Sequence, residues 1–326
     1  MQKYLMLIMI IRSILNSSDM KKIIVKLQGG LGNQIFQYSY AKMLANKYCI
    51  ENIILDTSYF NRKHIRSLSF DKYILPDNVE FCNKSILIYD FIYNIYKVLD
   101  KIYFKINEKH LFFSINFLKR GFYFGRNSIV EDSSLKKLNE LYIGGYFQNE
   151  NAMKLVYKEV DSNLKIKNDV SDLYEKYKNE INNSINSIGV SVRIGADYKK
   201  FGWPICSRSF YENGVKIITK KIGNSKIFIF SDCIDIIKKE KWFDSDNFVF
   251  VEGCSDVESL NLLRLCQNFV IANSTFSWWG AYFGKNMKKI IVAPEFFYSN
   301  KKMFESEINI PNAIYLNNEN GLEVRK

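Results

Sequence analysis

Proline, glycine and histidine are scarce in this chain, which has 4 Pro, 16 Gly and 2 His among its 326 residues. This scarcity excludes collagen-like and low-complexity chains, which are rich in proline, glycine or both. The histidines, His64 and His110, lie in no recognisable motif, which argues against histidine as a general base. Apolar residues make up 47% of the chain and aromatic residues 15%, enough to exclude disorder as the main state. The sequence predicts a globular protein long enough for two domains.

The 6 cysteines are widely scattered and include no CxxC pair. A secreted disulfide framework is dense, so this usage predicts a reducing, cytoplasmic compartment. No His/Cys cluster has metal-ligand spacing. Asp244 and Asp246 have DxD spacing but lie in a polar segment rather than after a strand, and we interpret them as part of a solvated turn. No metal and no other cofactor is expected.

Hydrophobic runs long enough to cross a membrane are absent. Residues 4–11 are apolar but much shorter than the ~20 residues that span a bilayer, and no A-x-A-like cleavage site follows them. Met20 is a second plausible start directly before a strand-like run, so residues 1–21 are interpreted as an N-terminal extension. In the alternative interpretation, residues 1–19 form a weak anchor that holds the protein peripherally at the inner, anionic face of the cytoplasmic membrane.

Acidic residues are fewer than basic ones: the chain has 34 Asp and Glu and 46 Lys and Arg, which give a formal net charge of +12. Such a charge favours an anionic partner, and the candidates are nucleotide phosphates, nucleic acid and an anionic membrane surface. The lysines are spread along the chain instead of clustering with aromatic residues, which argues against nucleic acid. A non-catalytic basic protein that binds nucleic acid or membrane stays as an alternative from another functional class.

Apolar runs of strand length alternate with segments of helical periodicity. In the first part a strand at 22–27 is followed by a Gly-rich turn, a helix at 35–48 and a strand at 52–56. Residues 86–124 are expected to be helix and loop that cover the first sheet. Alternation restarts after residue 185, with strands at 188–192, 226–230, 248–251, 269–272 and 289–292. The pattern predicts an α/β protein with two Rossmann-like, doubly wound domains, 22–185 and 186–326, facing each other across a cleft.

Glycines and amides stand directly after the first strand, in the run QGGLGNQ at 28–34. Glycine permits a positive φ and close approach of the backbone to a ligand, and the helix that follows presents free N–H groups. The spacing is not the GxGxxG of dinucleotide sites. Adjacent amides are costly to bury without partners. We therefore predict that Gly30, Gly32, Asn33 and Gln34 face a ligand; the alternative is a tight strand–helix turn.

Arg193 follows the apolar run 188–192, at the carboxyl end of a predicted parallel strand. Open α/β sheets bind ligands at that edge. An arginine fork can clamp a pyrophosphate and stabilise the charge on a departing nucleotide. We predict a phosphate contact, and the alternative is a structural ion pair with Asp197.

Polar side chains also gather after two other predicted strands. Asn273, Ser274, Thr275, Phe276 and Ser277 open a helix, where hydroxyl and free N–H groups can converge on an anion. A helix cap explains one of these hydroxyls and not all of them. Ser231 and Asp232 are a weaker candidate, because Asp232 either accepts from a ribose or base or caps the next helix.

Five runs, in order and spacing, resemble the bacterial α-1,2-fucosyltransferases of glycosyltransferase family 11. They are GGLGNQIFQYSYAKMLA at 29–45, GGYFQNE at 144–150, VSVRIGADY at 190–198, FSDC at 230–233 and LCQNFVIANSTFSWWGAYF at 265–283. The resemblance covers about residues 22–295. It implies a GT-B fold, GDP-fucose as donor, a β-galactoside glycan as acceptor, an α-1,2 linkage formed with inversion, and no required metal. It also implies a role in O-antigen or capsule biosynthesis.

The resemblance implies roles for individual residues. Arg193 and Asp197, assigned to catalysis, match the first arginine and the aspartate of the family's His-x-Arg-Arg-Gly-Asp-Tyr motif. The sequence departs from that motif at Ser191 in place of His, at Ile194 in place of the second Arg, and at the extra residue Ala196. Acceptor binding is assigned to Tyr146 and Gln148. Donor binding is assigned to Gly30, Gly32, Asn33, Gln34, Arg193, Ser231, Asp232, Glu258, Asn273, Ser274, Thr275, Phe276 and Ser277.

In the implied reaction an acceptor hydroxyl attacks the anomeric carbon opposite GDP, while negative charge builds on the β-phosphate. Arg193 and the hydroxyls of Ser274 and Thr275 are expected to stabilise that leaving group. The base is left open between Asp197, Asp232, Glu258 and a departing phosphate oxygen. Another GT-B transferase with a different sugar nucleotide is the alternative among enzymes.

Overall fold

The computed structural model describes residues 22–61, 66–84, 87–107, 121–124, 139–167, 170–195, 198, 200, 202–243 and 245–324. The predicted extension 1–21, both histidines, Asp197 and Asp244 lie outside the described residues. The chain forms two compact units that divide between Asn163 and Leu164. Within the described residues, each helix is too short or too polar to span a bilayer.

The first unit is built on a sheet whose strand pairings are all parallel. Its strands are β1 (Lys22–Lys26), β2 (Asn52–Asp56), β3 (Val79–Cys82), β4 (Phe122–Phe124) and β5 (Glu140–Gly144), in the order β3-β2-β1-β5-β4. The chain first builds the sheet from β1 toward β3 and later places β5 on the other side of β1. The switch point therefore lies between β1 and β5, where open α/β sheets bind ligands.

Two of these strands were not predicted from the sequence. β3 is only four residues long, and β4, of three residues, falls in the segment 86–124 that was expected to be helix and loop. β4 lies at the edge of the sheet and pairs with β5. Its three residues, Phe-Tyr-Phe, carry no alternation of polar and apolar residues that could separate them from the aromatic helix before them.

The helices of the first unit cover the sheet with aromatic side chains. Helix α1 (Leu31–Tyr48) begins before the predicted residue 35, so Gly32, Asn33 and Gln34 lie in its first turn. Along α2 (Leu87–Asn107) a row of tyrosines packs on phenylalanines of β4 and on Tyr142 of β5, whose ring centroid lies 4.3 Å from that of Tyr89. Each such aromatic pair adds ~0.5–1.5 kcal/mol beyond its buried area. Two short helices, α3 (Glu150–Lys154) and α4 (Tyr157–Asn163), complete the unit.

The second unit contains a six-stranded sheet, again parallel throughout. Its strands are β6 (Ser187–Val192), β7 (Lys226–Ser231), β8 (Phe248–Phe250), β9 (Asn268–Ile271), β10 (Ile291–Pro294) and β13 (Ile314–Leu316), in the order β13-β10-β9-β6-β7-β8. β11 (Phe296–Tyr298) and β12 (Lys301–Lys302) form a separate antiparallel ribbon. The switch point lies between β6 and β9, and β6 is buried along its whole length.

The α-helices of the second unit whose bounds lie within the described residues are α5 (Asp172–Asn182), α6 (Arg208–Ile222), α7 (Ile234–Lys239), α8 (Asp256–Leu265) and α9 (Thr275–Tyr282). α5 belongs to this unit because Tyr177 donates its hydroxyl to the carbonyl of Phe250 at 3.0 Å. The division between the units therefore comes earlier than the predicted boundary at 185/186. α9 lies close to α8 because residue 280 is glycine: a Cβ there would lie 2.3 Å from Leu263 Cδ2. The two parallel α/β sheets confirm the predicted fold class.

Candidate functional site

The second sheet brings three predicted site residues to its carboxyl edge. Arg193 follows β6, Asp232 follows β7, and Asn273 comes two residues after β9, and these three strands are adjacent in the sheet. Arg193 and Asn273 flank the switch point between β6 and β9. The topology thus places them where open α/β sheets bind ligands.

Arg193 is 9% exposed and is held from several sides. Its guanidinium lies over the ring of Tyr198, with Cζ 4.7 Å from the ring centroid. Nη1 forms an ion pair with the carboxylate of Asp232, and the predicted alternative partner, Asp197, lies outside the described residues. The backbone N–H of Arg193 donates to the Tyr211 hydroxyl at 3.3 Å. The side chain is therefore largely fixed before a ligand binds, and little rotamer entropy is left to lose.

Tyr198 connects the arginine to the segment after β9. Its hydroxyl donates to the backbone carbonyl of Asn273 at 2.7 Å. Burial raises the pKa of Tyr198 to about 12, although the Arg193 cation lowers it. The phenol therefore stays protonated at neutral pH and keeps this hydrogen bond. The sequence argument did not assign Tyr198 a role, although the residue stands in one of the runs that carry the resemblance.

The amino end of α9 lies next to this arrangement. Ser274 is the N-cap, and its side chain makes no capping hydrogen bond. The first N–H groups of a helix have no partners inside the helix, and the helix dipole places partial positive charge there. Ser274, Thr275 and Phe276 are half-buried at this end, and Ser274 hydrogen-bonds Tyr198. The N–H groups at the amino end of α9 can therefore act together with the Arg193 cation on a bound anion.

Ser277 does not face a ligand, contrary to the prediction. Its side chain is fully buried, and its Oγ lies 2.7 Å from the Oγ of Ser191. The two hydroxyls satisfy each other and join α9 to β6 inside the core.

Asn273 uses its amide to hold neighbouring loops. Nδ2 donates to the carbonyl of Pro204 at 2.8 Å and to that of Phe297 at 3.2 Å. Its Oδ1 is buried and has no hydrogen-bond partner among the described residues. A buried acceptor without a donor is costly. A ligand that donates a hydrogen bond to Oδ1 would remove this cost.

Glu258, predicted to bind the donor, forms a helix cap instead. One carboxylate oxygen accepts the N–H of Ser171 at 2.7 Å, and the other accepts the N–H of Ser255 at 2.7 Å and its hydroxyl at 2.8 Å. Burial acts to raise the pKa of Glu258, but these hydrogen bonds outweigh it and lower the pKa to about 2. A carboxylate held in this way is a poor general base. The signal was present in the sequence, since Ser255-x-x-Glu258 is a capping box.

The turn after β7 is held by Ser231, whose Oγ accepts the N–H of Cys233 at 3.0 Å. Cys233 is the N-cap of α7, which makes the alternative role of Asp232 as a helix cap wrong. Asp232 is exposed and pairs with Arg193. Its carboxylate therefore shares the cation with any ligand that binds there.

The first sheet brings together the Gly-rich run and the segment after β5. Gln148 Nε2 donates to Asn33 Oδ1 at 2.9 Å, which joins the two sides of the switch point. Gly29 has a φ of +78°, and a side chain there would meet Asn33 Nδ2 at 2.8 Å. Arg66 packs against Gly30, with its Cδ 3.7 Å from the position of a Cβ. Asn33, predicted to bind the donor, and Gln148, predicted to bind the acceptor, are therefore neighbours at this edge.

Gln34 is not available to a ligand, contrary to the prediction. The residue is fully buried, and Nε2 donates to the carbonyls of Gly29 at 2.9 Å and Ser67 at 3.0 Å. Its Oε1 accepts the N–H groups of Ser69 and Phe70 at 3.1 and 3.0 Å. Every hydrogen-bonding position of the amide is taken by backbone, so Gln34 ties the loop at 66–70 to the Gly-rich run.

Two further amides, missed by the sequence argument, support the same edge. Gln37 Oε1 accepts the N–H of Gln28 at 2.9 Å, and Gln37 Nε2 donates to the carbonyl of Gly145 at 3.0 Å. Gln28 Nε2 donates to the Tyr93 hydroxyl at 2.8 Å. Gln37 comes three residues after Gln34 and lies on the same face of α1, which is the spacing that could have revealed it.

A buried ionic cluster, also missed, lies beneath this edge. Lys26 and Asp56 end adjacent strands in direct register, and Lys26 Nζ lies 3.2 Å from Asp56 Oδ2. Lys26 also donates to Ser58 Oγ at 2.9 Å and pairs with Asp90, while Tyr142 donates to Asp56 at 3.2 Å. These contacts satisfy the buried charges, so the cluster fixes the ends of β1 and β2.

The segment after β5 is strained and presents one exposed aromatic side chain. Phe147 has a φ of +49°, which is unusual for a bulky residue. Its buried ring stacks on Tyr40 with centroids 4.3 Å apart, and this packing stabilises the conformation. Tyr146, predicted to bind the acceptor, is 43% exposed next to it. The strain thus accompanies a turn that leaves Tyr146 accessible beside Gln148.

The side chains that could hold a metal ion are not grouped into a metal site within the described residues. Among them, no three His, Cys, Asp or Glu side chains are grouped so that they could hold an ion. Asp246, of the DxD pair, lies before β8 and is exposed, whereas Arg193 lies at the carboxyl edge of the sheet. Metal independence stays a prediction.

Parallel α/β sheets with ligand-type edges at both switch points are the architecture of GT-B glycosyltransferases. The structure resembles the crystal structure of the fucosyltransferase NodZ from Bradyrhizobium, with a TM-score of 0.50 and 15% sequence identity over 81% of this chain and 92% of that chain. At this identity the likeness shows the fold, and it confirms the predicted GT-B architecture.

Sequence comparison assigns the family. Residues 20–321 match Glycosyl transferase family 11, so the chain belongs to this family and is a glycosyltransferase. It is 26% identical over 295 residues to the O-antigen biosynthesis glycosyltransferase WbnK of Escherichia coli, covering 85% of this chain and 95% of that protein. It is also 26% identical over 300 residues to an alpha-1,2-colitosyltransferase of Escherichia coli, covering 87% and 95% respectively.

Proposed function

We propose that this glycosyltransferase moves L-fucose from GDP-fucose to O2 of a galactose residue of a glycan, with inversion at the fucose anomeric carbon. The observation that carries the proposal is Arg193, a nearly buried cation at the carboxyl end of β6, beside the switch point and the amino end of α9. A cation and free N–H groups together suit a diphosphate. The resemblance of the five sequence runs supports GDP-fucose as the donor.

In the proposed reaction the galactose O2 forms a bond to the anomeric carbon as the bond from that carbon to the β-phosphate oxygen breaks. The bonding electrons remain on GDP, and the hydroxyl proton leaves to a base. Arg193 and the first N–H groups of α9 stabilise the charge that grows on the β-phosphate. Tyr198, through its contacts with Arg193 and the carbonyl of Asn273, keeps these two donors in fixed relation.

The motif's missing second arginine makes this leaving-group site less positive. Ile194 takes that position, and its half-buried side chain packs against the hydrophobic core of the second unit. It cannot donate to a phosphate. The N–H groups at the amino end of α9 therefore stabilise a larger share of the charge on the β-phosphate. The N-cap side chain of α9 leaves these N–H groups uncapped.

Two of the candidates for the base that takes the hydroxyl proton, Glu258 and Asp232, are engaged in other contacts. Glu258 is excluded by its low pKa and its role in capping α8. Asp232 is paired with Arg193, and loss of its charge would weaken that pair. We therefore propose that Asp197 or the departing phosphate oxygen takes the proton.

Acceptor recognition is proposed at the edge of the first sheet. Tyr146 offers an exposed ring on which a sugar face can stack, and the amides of Gln148 and Asn33 can exchange hydrogen bonds with sugar hydroxyls. The colitosyltransferase relative is named for an α-1,2 linkage, which supports O2 as the attacking atom.

The test is a donor and acceptor panel. Purified protein is incubated with GDP-fucose, GDP-mannose or UDP-galactose and with β-galactosides, and the products are read by mass and by linkage analysis. Fucose attached to O2 of galactose with the α-anomer supports the proposal. Transfer from another donor only, or attachment at another hydroxyl, contradicts it.

A second candidate donor is a nucleotide-linked colitose. The colitosyltransferase relative is as similar to this chain as the O-antigen glycosyltransferase, at 26% identity each. Colitose is fucose without its 3-hydroxyl group, so the two donors differ by one hydrogen-bonding group. A site that pairs with that hydroxyl rejects colitose strongly, whereas an apolar site accepts both. The ratio of kcat/KM for the two donors therefore decides between them.

A further inference from the structure

Helix α2 has two apolar faces, only one of which packs on its own sheet. The inner face is the row Tyr89, Tyr93 and Tyr96, which packs on the sheet. On the outer face large apolar side chains are exposed, among them Ile106 at 73% and Phe91 at 60%. Tyr103 is also exposed, at 39%, and borders this face. The outer stripe is defined here as Phe91, Ile95, Val98, Leu99, Ile102 and Ile106.

The outer stripe is continuous. Each member lies three or four residues from another member, so they follow one face of the helix. From residue 91 to residue 106 the stripe extends about 22 Å at 1.5 Å per residue. Single exposed apolar residues are ordinary on protein surfaces, whereas a contiguous row of them marks an interaction surface.

Positive charge accompanies the stripe. Lys101 and Lys105 are exposed and each follows a stripe residue, Val98 and Ile102, by three positions. Asp100, the single acidic residue between positions 91 and 106, is half-buried and lies on the opposite side of the helix at 100° per residue. The exposed side of α2 therefore combines apolar residues with cations and presents no carboxylate in this stretch.

We propose that the outer stripe of α2 binds an anionic lipid bilayer, with the helix lying in the plane of the interface. An interfacial helix needs an apolar face that enters the acyl boundary and lysines beside it that reach the headgroups. The net charge of +12 of the chain adds attraction to the same surface. α2 is not apolar enough to cross the bilayer.

A second copy of the chain fits this face less well. Pairing two outer stripes would bring Lys101 and Lys105 of both copies to one interface, and the exposed side of α2 offers no carboxylate there to neutralise them. Anionic headgroups supply that negative charge. The proposal concerns membrane binding alone and does not depend on the identity of the donor or the acceptor.

Vesicle flotation of the full chain tests the proposal. Binding is expected to vesicles of phosphatidylcholine with about 30% phosphatidylglycerol, and it should fall as salt rises because the charge attraction is screened. The triple variant Val98→Gln, Ile102→Gln, Ile106→Gln should lose at least about tenfold in partitioning. A matched control replaces three exposed apolar residues elsewhere, as Ile185→Gln, Met287→Gln, Leu322→Gln, and should bind like the parent.

The charge contribution is measured separately. The double variant Lys101→Gln, Lys105→Gln should lose roughly 25-fold on anionic vesicles, since each lysine near such a surface contributes roughly fivefold. The control Lys216→Gln, Lys220→Gln removes two exposed lysines of α6. It should lose clearly less. Far-UV circular dichroism confirms that each variant is folded.

Three results would overturn the proposal. The first is parent-like binding by the triple α2 variant, and the second is loss of binding when residues 1–19 alone are deleted. The third is a dimer in light scattering that the triple α2 variant makes monomeric, while the parent chain does not float with vesicles. That last outcome would assign the stripe to a second copy of the chain.

Discussion

The carboxyl edges of the two sheets carry different chemistry, although both lie at a switch point of a parallel sheet. At the first edge, amides bond to each other and to backbone, through Gln28, Gln34, Gln37, Asn33 and Gln148. At the second edge a nearly buried cation, Arg193, lies beside a helix end that its N-cap side chain leaves uncapped. The shared topology fixes where a ligand binds, and the side chains decide which ligand.

This difference suits the two substrates of a sugar transfer. Amides donate and accept, which matches neutral sugar hydroxyls. A cation with N–H groups matches a diphosphate whose charge increases as the bond to the sugar breaks. Variants at the two edges should therefore affect different kinetic constants.

The largest effect is expected from Arg193→Ala at the cationic edge. Removal of a donor that acts on the developing charge typically costs ~10²–10³ in rate. We expect a loss of that size in kcat/KM for GDP-fucose, with the KM for the acceptor little changed. Initial rates at varied donor and acceptor concentrations measure both.

The matched control is Arg208→Ala, which removes an exposed arginine that pairs with Glu212 on α6. Its rates should equal those of the parent, and thermal melting should show both variants folded. If Arg193→Ala turns over at a rate near the parent's, the cationic edge is not the leaving-group site.

At the amide edge, alanine substitutions of Gln34 and Gln148 distinguish a structural amide from one that contacts the acceptor. Gln34→Ala leaves two buried N–H groups and two part-buried carbonyl contacts without their amide partner. Since each unsatisfied group costs ~1–3 kcal/mol before relaxation, we expect the free energy of unfolding to fall by about 3 kcal/mol or more. Urea denaturation measures this loss.

Gln148→Ala is the comparison, because its amide donates to the side chain of Asn33. We expect little change in the free energy of unfolding and roughly a tenfold rise in the acceptor KM, the equivalent of one lost hydrogen bond of ~1.4 kcal/mol. A strongly destabilised Gln148→Ala, or a stable Gln34→Ala with a raised acceptor KM, would reverse the two assignments.

A smaller effect, dependent on pH, is expected at Glu258, which caps the amino end of α8 in the second unit. Its folded pKa is lowered from 4.5 to about 2. A lowered carboxyl pKa stabilises the fold above about pH 4.5, and that contribution is lost as pH falls through about 2. By linkage it amounts to at most about 3 kcal/mol at neutral pH. Glu258→Gln should therefore be less stable than the parent at pH 7, and the difference should shrink between pH 5 and pH 2.

Asp256→Asn is the control for this experiment, because it removes a negative charge from the same first turn of α8 without removing the capping box. It should cost less than ~1 kcal/mol. A difference between Glu258→Gln and the parent that stays constant from pH 7 to pH 2 would contradict the assigned cause of the pKa shift.

How far the sequence predicts the fold depends on the length of each element. β6 and β7 are six-residue apolar runs bounded by turns, and both were predicted. β3 and β4 were missed although β8 and β9 are as short, because β3 is interrupted by Glu80 and β4 continues the aromatic composition of the segment before it. The division between the units was predicted at 185/186 because the polar residues of α5 are typical of a linker. The contact of Tyr177 with Phe250 places α5 in the second unit.

At the candidate site the sequence identified edges better than it identified individual contacts. Arg193 and Asp232 were predictable because each directly follows a strand, and strand ends define the edge. Gln34 and Asn33 are adjacent in sequence, yet the first is buried by the loop at 66–70 and the second bonds to Gln148. Such a distinction depends on segments distant in sequence, so no local pattern contains it. Glu258 is the exception, since its capping box is local and was overlooked.

The last prediction concerns divalent metal, for which the expected effect on rate is none. The reason is that, in the proposed site, Arg193 and the N–H groups of α9 would meet the charge that a metal would neutralise on GDP. Asp246 comes before β8, on the amino-terminal side of the sheet, and lies in a groove with Glu180 and Lys226. An ion there would be at the opposite edge from Arg193. Initial rates with GDP-fucose should therefore be equal in excess EDTA and in Mn²⁺ or Mg²⁺. Activity that disappears in chelator and returns with metal would show that Arg193 and α9 do not suffice, and that a cation joins the leaving-group site.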